Sequence, residues 1–570
     1  MKRKTVLALL AVPVFAGMTV LAMPNAVAQP ELSGKTVEYS VLARDGVAVA
    51  KAEAAVKAAG GKVERSNAAV GLVTASAPEN GFTQRLATSP DVLLTSKVRV
   101  IGESPDRRAD KRVAKENSEH GKSRAGNPRA AAGMDPLDGQ LWGLSMVRSN
   151  LSRTVQPGDK RVKVGVLDTG VDGNHPDIKP NFDSKLSRNF THDIPTDELG
   201  QVVDGPCEFR GCVDPANWDD GGHGTHVAGT IAAAANGFGV SGVAPKVSLV
   251  NIRGGQDSGF FFLQPVVDAI TYSGDAGLDV VNMSFFVDPW LYNCQNNPAD
   301  SPEEQAQQRT ITTAMTRALN YAHRKGVTNV VALGNQHEDN GNPLPDSTSP
   351  DFPVGTEKTR TIDNATCRSM PIEGPHTIGV SALGPSGGKA DYSSYGLEQI
   401  SVSAPGGYFR DYFGTPLHRT NENLILSTYP RNVGVAEGTI DADGNVTPDG
   451  EALGVQKACK ANGECGYYQF LQGTSMASPH AAGVSSLIVS EYGKYSGGNA
   501  SMDPDKVQRV LEGTAFATPC PEPRTVDYLD EGRDDTFTAT CAGGLEFNGF
   551  YGNGIVDAWS AVTRGRSFLR

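Results

Sequence analysis

The order of local patterns along most of the chain limits its fold more than any other feature. From about Asp135 onward, short runs of β-branched residues alternate with stretches of helical character. The runs include residues 162–167, 247–252, 280–283 and 327–332, and the helical stretches include residues 225–235, 265–273 and 305–324. Strands that alternate with helices form βαβ units. The pattern therefore predicts an α/β fold with a mostly parallel sheet covered by helices on both faces.

Length and charge exclude some classes of protein. A chain of 570 residues is too long for one compact core, so two or more folded units are expected. Hydrophobic residues make up 39% of the chain and charged residues 20%, which argues against wholesale disorder. The net charge of −12 disfavours a nucleic-acid partner, because such a partner would need a basic face.

The N-terminus has the pattern of an export signal. Lys2, Arg3 and Lys4 precede an apolar run over residues 6–23, and the small-x-small pattern Ala-Val-Ala follows at residues 26–28. This predicts a signal peptide over residues 1–28 and a secreted, extracellular protein. An uncleaved membrane anchor is the alternative, because the run approaches spanning length. No later segment is apolar over about 18 residues, so no membrane association is expected after signal removal.

The next two segments differ in composition. Residues 29–102 predict a small α+β module, with strand patterns at 37–42, 69–75 and 92–101 and helical patterns at 47–59 and 81–87. Residues 103–133 are rich in charge and poor in large apolar residues, which predicts an exposed, flexible linker open to proteolysis. The main domain then covers residues 134–570.

The cysteines predict disulfide bonds. All eight lie beyond residue 200, and an even number in an exported chain is typical of disulfides. Buried free thiols are the alternative. Proximity in the sequence favours the pairs Cys207–Cys212, Cys459–Cys465, Cys294–Cys367 and Cys520–Cys541.

Two segments could carry an acid and a base. Asp168 follows the apolar run 164–167, which puts it at the carboxyl edge of a parallel strand, although acids often end strands. His223 begins a helical stretch of small residues between glycines, and a core histidine is the alternative there. His226 could share a metal with His223, but the H-E-x-x-H arrangement and a third ligand are missing, so zinc is disfavoured.

The third segment, G-T-S-M-A-S-P-H-A-A-G over residues 473–483, places Ser475 at a predicted helix start. The positive end of the helix dipole and unpaired backbone N–H groups favour a developing negative oxygen there. An ordinary N-cap serine is the alternative for any single serine in this position.

Together the three segments resemble the subtilisin family of peptidases. The motifs are D-T-G, H-G-T-H-V-A-G-T and G-T-S-M-A-S-P-H in that order, and the resemblance covers about residues 135–565. It implies a subtilisin-like three-layer fold and serine endopeptidase activity that needs no cofactor for its chemistry. It also implies that Ser475 is the nucleophile, His223 the proton carrier and Asp168 the group that orients the imidazole. Asn335, in Ala-Leu-Gly-Asn, is implied as an oxyanion donor, although Leu333 replaces a residue that is usually small.

The resemblance extends to the first module. It implies that residues 29–102 are an inhibitory prosegment and that the linker is cut during maturation, so that the chain is made as a zymogen. An independent accessory domain is the alternative. The implied partners are protein or peptide substrates and the chain's own prosegment.

Substrate-binding edges are implied at residues 253–259, including Arg253, Gly254 and Gly255, and at residues 284–287. The second edge contains Ser284, Phe285 and Phe286, where the family usually has Ser-Leu-Gly. A structural Ca²⁺ is also implied, with Asp138, Asp177 and Asn236 as its oxygen ligands. Plain turn-forming roles for these three residues are the alternative.

Two other functions compete with a general endopeptidase. One is a dedicated protease that trims leader peptides from a particular precursor. The other is an inactive, peptide-binding relative, which the complete set of Asp168, His223, Asn335 and Ser475 disfavours.

Overall fold

The structure is a computed structural model that describes residues 31–98, 135–196, 202–352 and 355–569. The predicted signal peptide and the predicted linker lie outside the described residues. Within the described part of the chain, no helix has the length and the apolar character needed to cross a membrane.

The first module is an antiparallel sheet with two helices. Its sheet has the order β2-β3-β1-β4, and its core includes Val41, Val56 and Phe82. The sequence patterns missed β2, because that strand is polar and mostly exposed. The elements are β1 (Ser33–Ala43), α1 (Val49–Ala58), β2 (Lys62–Asn67), β3 (Leu72–Asn80), α2 (Phe82–Leu86) and β4 (Val92–Lys97).

A seven-stranded sheet forms the centre of the main domain. Its order is β11-β10-β9-β8-β5-β7-β6, and every neighbouring pair is parallel, as predicted. The strands are β5 (Lys163–Leu167), β6 (Arg188–Asn189), β7 (Ser248–Arg253), β8 (Val280–Met283), β9 (Thr328–Ala332), β10 (Thr377–Leu383) and β11 (Ile400–Pro405).

Helices cover both faces of this sheet, which gives the three layers that the resemblance implied. Side chains alternate between the faces: Val330 of β9 lies in one core and Val331 in the other. The main helices are α3 (His223–Ala232), α4 (Leu263–Asp275), α5 (Pro302–Arg324), α6 (Thr474–Tyr492), α7 (Pro504–Thr514) and α8 (Ala558–Arg564). The α4 and α5 helices share one core, and α3, α6, α7 and α8 share the other.

Shorter elements form the surface of the main domain. The four predicted disulfide bonds are all present, and Cys294–Cys367 joins two paired strands. The short helices are Trp142–Met146, Ser149–Ser152, Arg431–Ala436 and Pro448–Ala452. The short strands are Asn293–Cys294, Cys367–Arg368, Ile425–Tyr429, Gln456–Cys459, Cys465–Leu471, Lys494–Ser496, Asn499–Ser501, Thr525–Val526 and Ala539–Thr540. The 3₁₀ helices are Asp138–Gln140, Asn421–Asn423, Asp535–Phe537 and Gly565–Phe568.

Candidate active site

Asp168 and His223 meet at the carboxyl edge of the central sheet. Asp168 follows β5, which lies between β7 and β8 in the sheet. The later strands are therefore added on both sides of β5, and such a reversal of strand order leaves a crevice at the carboxyl end of the strand. The Oδ1 atom of Asp168 lies 2.7 Å from Nδ1 of His223, and both side chains are buried. The carboxylate can therefore accept a hydrogen bond from the Nδ1–H group and hold the imidazole in one orientation.

A glycine makes this approach possible. A Cβ atom on Gly224 would lie 2.1 Å from the carbonyl oxygen of Gly170 and 2.9 Å from Cβ of Asp168. Any side chain at this position would push α3 away from the end of β5. The glycine that follows His223 is therefore required by packing.

Asp219 connects the two loops that carry Asp168 and His223, and the sequence analysis did not identify it. Its buried carboxylate accepts hydrogen bonds from the backbone N–H groups of Gly221, Gly222 and Thr225 at 2.9–3.0 Å, and from the hydroxyl of Thr225. It also accepts a hydrogen bond from the Thr169 hydroxyl at 3.1 Å. Asp219 thus caps α3 and holds it against the residue after Asp168. The only signal in the sequence was an acid shortly before a predicted helix start.

Ser475 is the second residue of α6, which packs against α3. The whole of Thr474–Ser490 is buried, so the position of this helix is set by the core around it. The Ser475 hydroxyl lies 3.3 Å from the carbonyl oxygen of Ser284, and the Ser284 hydroxyl lies 2.9 Å from that of Ser478. These contacts hold the predicted substrate edge at Ser284 beside the start of α6.

Asn335 lies beside the same helix start. Its Oδ1 atom accepts hydrogen bonds from the backbone N–H and the hydroxyl of Thr474, both at 2.9 Å. The amide oxygen is thereby committed to Thr474, which sets the orientation of the amide group. The predicted oxyanion donor and the predicted nucleophile are therefore close neighbours.

Two further histidines near the site are neutral packing residues. Nε2 of His226 lies 3.0 Å from the carbonyl oxygen of Ile425, and burial lowers the pKa of His226 to about 3. Nδ1 of His480 lies 2.8 Å from the carbonyl oxygen of Met476, and burial lowers the pKa of His480 to about 4.

The first predicted substrate edge needs correction. The Arg253 side chain is fully buried and forms ion pairs with Asp214 and Asp257, so it does not face a substrate. The N–H groups of Gly254 and Gly255 donate to the carbonyl oxygen of Asp168 at 3.2 and 3.1 Å. Gly254 and Gly255 therefore support Asp168, and the partly exposed portion of the segment begins at Asp257.

The second predicted edge carries two partly buried aromatic rings. Phe285 stacks on Phe261 with ring centroids 4.1 Å apart, whereas Phe286 packs against a separate cluster that contains Tyr292. Ser284 is buried against α6, as described above. Phe286 therefore places an aromatic ring where the family usually has glycine.

The predicted calcium ligands do not fit a cation. The carboxylate of Asp177 accepts hydrogen bonds from the Tyr468 hydroxyl at 2.8 Å, from the Val240 N–H at 3.0 Å and from the Asn236 NH₂ group at 3.1 Å. Asn236 thus presents a donor, although calcium requires oxygen atoms. Asp138 forms an ion pair with Arg153 at 3.3 Å. The three residues serve as ordinary packing and turn residues here.

Comparison of the sequence with known proteins identifies one family. The profile of the Subtilase family matches residues 159–554. Subtilisin DY of Bacillus licheniformis is 28% identical over 351 residues, which cover 62% of this chain and 85% of that protein. Fervidolysin of Fervidobacterium pennivorans is 28% identical over 397 residues, and that match covers 67% of this chain and 41% of fervidolysin.

Comparison with solved structures supports the same architecture. The epidermin leader peptide processing serine protease of Staphylococcus aureus matches 93% of this chain and 99% of its own, with a TM-score of 0.59 and 19% identity. The crystal structure of fervidolysin matches 95% of this chain and 64% of its own, with a TM-score of 0.53 and 21% identity. At these identities the comparison establishes the fold alone.

Proposed function

The chain belongs to the subtilase family, which makes it a serine endopeptidase, and on that premise we propose that it is a secreted enzyme with Asp168, His223 and Ser475 as its catalytic triad. The observation that carries the proposal is the 2.7 Å contact between Asp168 and His223. His223 begins α3, and α3 packs against α6, the helix that carries Ser475. A buried carboxylate–imidazole pair next to a helix-starting serine suits acyl transfer.

In the proposed mechanism, the Ser475 hydroxyl oxygen attacks the carbonyl carbon of the peptide bond. His223 accepts the hydroxyl proton and then delivers it to the leaving amine, which breaks the C–N bond and leaves an acyl-enzyme. A water molecule then attacks the ester carbon, again giving its proton to His223, and Ser475 is released as the alcohol. Asp168 keeps the imidazole in position and stabilises its charged form.

Asn335 and the backbone N–H of Ser475 are proposed to stabilise the oxyanion. Because Oδ1 of Asn335 is committed to Thr474, the NH₂ group is the part of the amide that would meet the developing charge. Donors fixed before the reaction cost no reorganisation when the charge forms.

A serine-directed phosphonylating reagent tests this function. We expect it to label Ser475 in the mature enzyme and to abolish peptide hydrolysis. Ser475→Ala should neither react nor hydrolyse peptides, while its melting temperature stays close to that of the wild type. Full activity in the alanine variant would refute the assignment.

We further propose that residues 29–102 are an inhibitory prosegment. In support, Leu42, Val70 and Leu72 of this module lie in the same hydrophobic cluster as residues of α4 and α5. Polar contacts surround that cluster: the Asn67 NH₂ group donates to Asp268 and Thr271 at 2.8 Å, and Arg317 donates to the carbonyl oxygens of Ala43 and Val70 at 3.0 and 2.9 Å. An interface with its own buried apolar centre and polar rim suits specific binding.

The substrate range is proposed to be that of a general endopeptidase. Cleavage of leader peptides from one precursor is the alternative, and the staphylococcal protease with the similar fold is named for that activity. Cleavage of a peptide library by the mature enzyme separates the two. Hydrolysis of many unrelated peptides supports the general function, and hydrolysis of a single narrow motif supports the alternative.

A further inference from the structure

A cluster of carboxylates lies beside the candidate substrate edge, and two of its members pair with a buried guanidinium. The Arg253 side chain is fully buried and pairs with Asp214 and Asp257. We call the five carboxylates the acidic pocket: Asp193, Glu208, Asp214, Asp220 and Asp257. Of the five, Asp214 and Asp257 form the ion pairs with Arg253.

The carboxylate oxygens converge as ligands would. Oxygen atoms of Asp193, Glu208 and Asp257 lie within 4.8 Å of one another. Glu208 also belongs to a second such group, with Asp214 and Asp220. Glu208 is exposed, whereas Asp193 is buried, so the pocket opens to solvent on one side.

Asp193 provides an independent observation that something binds here. It is only 4% exposed, and neither of its carboxylate oxygens accepts a hydrogen bond from any atom in the described ranges of the chain. The positive charge of Arg253 acts on Asp193 from a distance, but the guanidinium N–H groups contact Asp214, Asp257 and the carbonyl oxygen of Gly255 instead. A buried carboxylate without a partner is costly and is normally paired or bound to a metal.

We propose that Asp193, Glu208 and Asp257 bind one divalent cation of the calcium class. All three ligands are oxygen atoms on irregular loop segments, which suits a hard cation with a flexible coordination shell. None of the three residues belongs to the set that the sequence suggested for calcium. In that set the Asp177 carboxylate accepts hydrogen bonds from protein donors, whereas in this one both oxygens of Asp193 accept none within the described residues.

The bound ion would join separate parts of the chain next to the active site. Glu208 lies in the loop closed by the Cys207–Cys212 disulfide, and Asp257 lies where the partly exposed portion of the substrate edge begins. That edge connects directly to Asp168, because Gly254 and Gly255 donate to its carbonyl oxygen. The cation would therefore hold the disulfide loop against the wall of the substrate cleft.

The test uses the full chain with Ser475→Ala, so that self-cleavage and catalysis do not enter. Calcium chloride is titrated into this protein by calorimetry, and its melting temperature is measured with excess calcium and with chelator. We expect saturable binding and a higher melting temperature with calcium, since a ligand of the native state stabilises it. Asp193→Asn and Glu208→Gln should each weaken binding about tenfold or more, because affinity follows the number of charged ligands.

Asp177→Asn is the matched control, because it makes the same change in a buried carboxylate of the set suggested by sequence. It should leave calcium affinity unchanged. If Asp193→Asn does not fold, Glu208→Gln decides, because Glu208 is exposed and its loss leaves packing intact. The proposal is overturned if the parent protein does not bind calcium, or if Glu208→Gln binds it with unchanged affinity.

Discussion

The Oδ1 atom of Asp168 lies 2.7 Å from the Nδ1 atom of His223, although the two residues belong to different elements. One follows a central strand, and the other begins a helix whose second residue must be glycine for the two to approach so closely. The contact assigns Nδ1 of the imidazole to the carboxylate and leaves Nε2 for proton transfer. Several expected outcomes depend on this arrangement.

Replacing Asp168 with asparagine should lower kcat by about four orders of magnitude, because an amide can stabilise the wrong imidazole tautomer. KM should change little, since the side chain does not contact substrate. Steady-state kinetics on a peptide substrate measure both constants. Asp279→Asn is a suitable control, because Asp279 is a buried carboxylate at the opposite end of β5, where it accepts a hydrogen bond from the Lys163 N–H. Equal losses in both variants would contradict a catalytic role for Asp168.

Asn335→Ala should lower kcat about 10²–10³-fold with little change in KM, because an oxyanion donor acts mainly in the transition state. The measurement is again the separation of kcat from KM. Asn342→Ala, at an exposed position a few residues later, should leave both constants unchanged. A rise in KM at constant kcat would instead indicate that Asn335 binds the ground state.

Asp219→Ala should lower the free energy of unfolding by about 2–3 kcal/mol, because it leaves several buried donors without an acceptor. It should also lower kcat, since Asp219 positions α3 and hence His223. Asp219→Asn keeps an acceptor and should recover part of kcat. Asp503→Ala removes a helix cap at α7 and should cost stability without changing kcat. If kcat falls in proportion to the loss of unfolding free energy in all three variants, Asp503→Ala included, Asp219 has no specific role in positioning His223.

The Ser475→Ala protein should accumulate with the first module attached, whereas the wild type should show a mature N-terminus between residues 118 and 135. The reason is that the proposed maturation is self-cleavage in a charged, apolar-poor segment. N-terminal sequencing of both proteins measures this. Ser496→Ala, at an exposed site shortly after α6, should mature normally. A fully active wild type with residues 29–102 still covalently attached would contradict the prosegment assignment.

Stability should fall as the pH rises from about 4.5 to about 7, in part because of Glu338. Burial raises the pKa of Glu338 from 4.5 to about 7, against the lowering effect of the hydrogen bond that it accepts from the Tyr292 hydroxyl. Its contribution to stability is complete below pH 4.5 and is lost as the pH rises through 7, because the unfolded chain ionises more readily. Glu338→Gln cannot ionise, so the difference in unfolding free energy between pH 4 and pH 8 should shrink by up to about 3 kcal/mol. Denaturant unfolding at both pH values measures it, and an unchanged pH dependence would contradict the raised pKa.

Local patterns predicted most of the fold. The runs before Asp168 and around residues 280–283 became strands of one parallel sheet, and the helices at His223 and Ser475 begin where the motifs suggested. One strand that the patterns missed was β2 (Lys62–Asn67), whose polar, mostly exposed sequence carries no strand signal. Such a strand forms because β3 offers it hydrogen bonds, and this is a property of the assembled sheet.

The sequence by itself determined the family and the identities of the proposed catalytic residues, because these depend on residue types in a fixed order. Proximity in the sequence favoured the four cysteine pairs, and the structure confirmed them. Only the tertiary structure decided which polar groups share a buried space. It placed the Arg253 side chain inside the protein, showed Asp219 joining two loops, and gathered Asp193, Glu208 and Asp257 from distant segments. It also directed hydrogen-bond donors to Asp177, where the motif had suggested a cation. The physical reason is that the charge state and binding capacity of a carboxylate depend on its neighbours and its burial, and distant parts of a chain become neighbours only on folding.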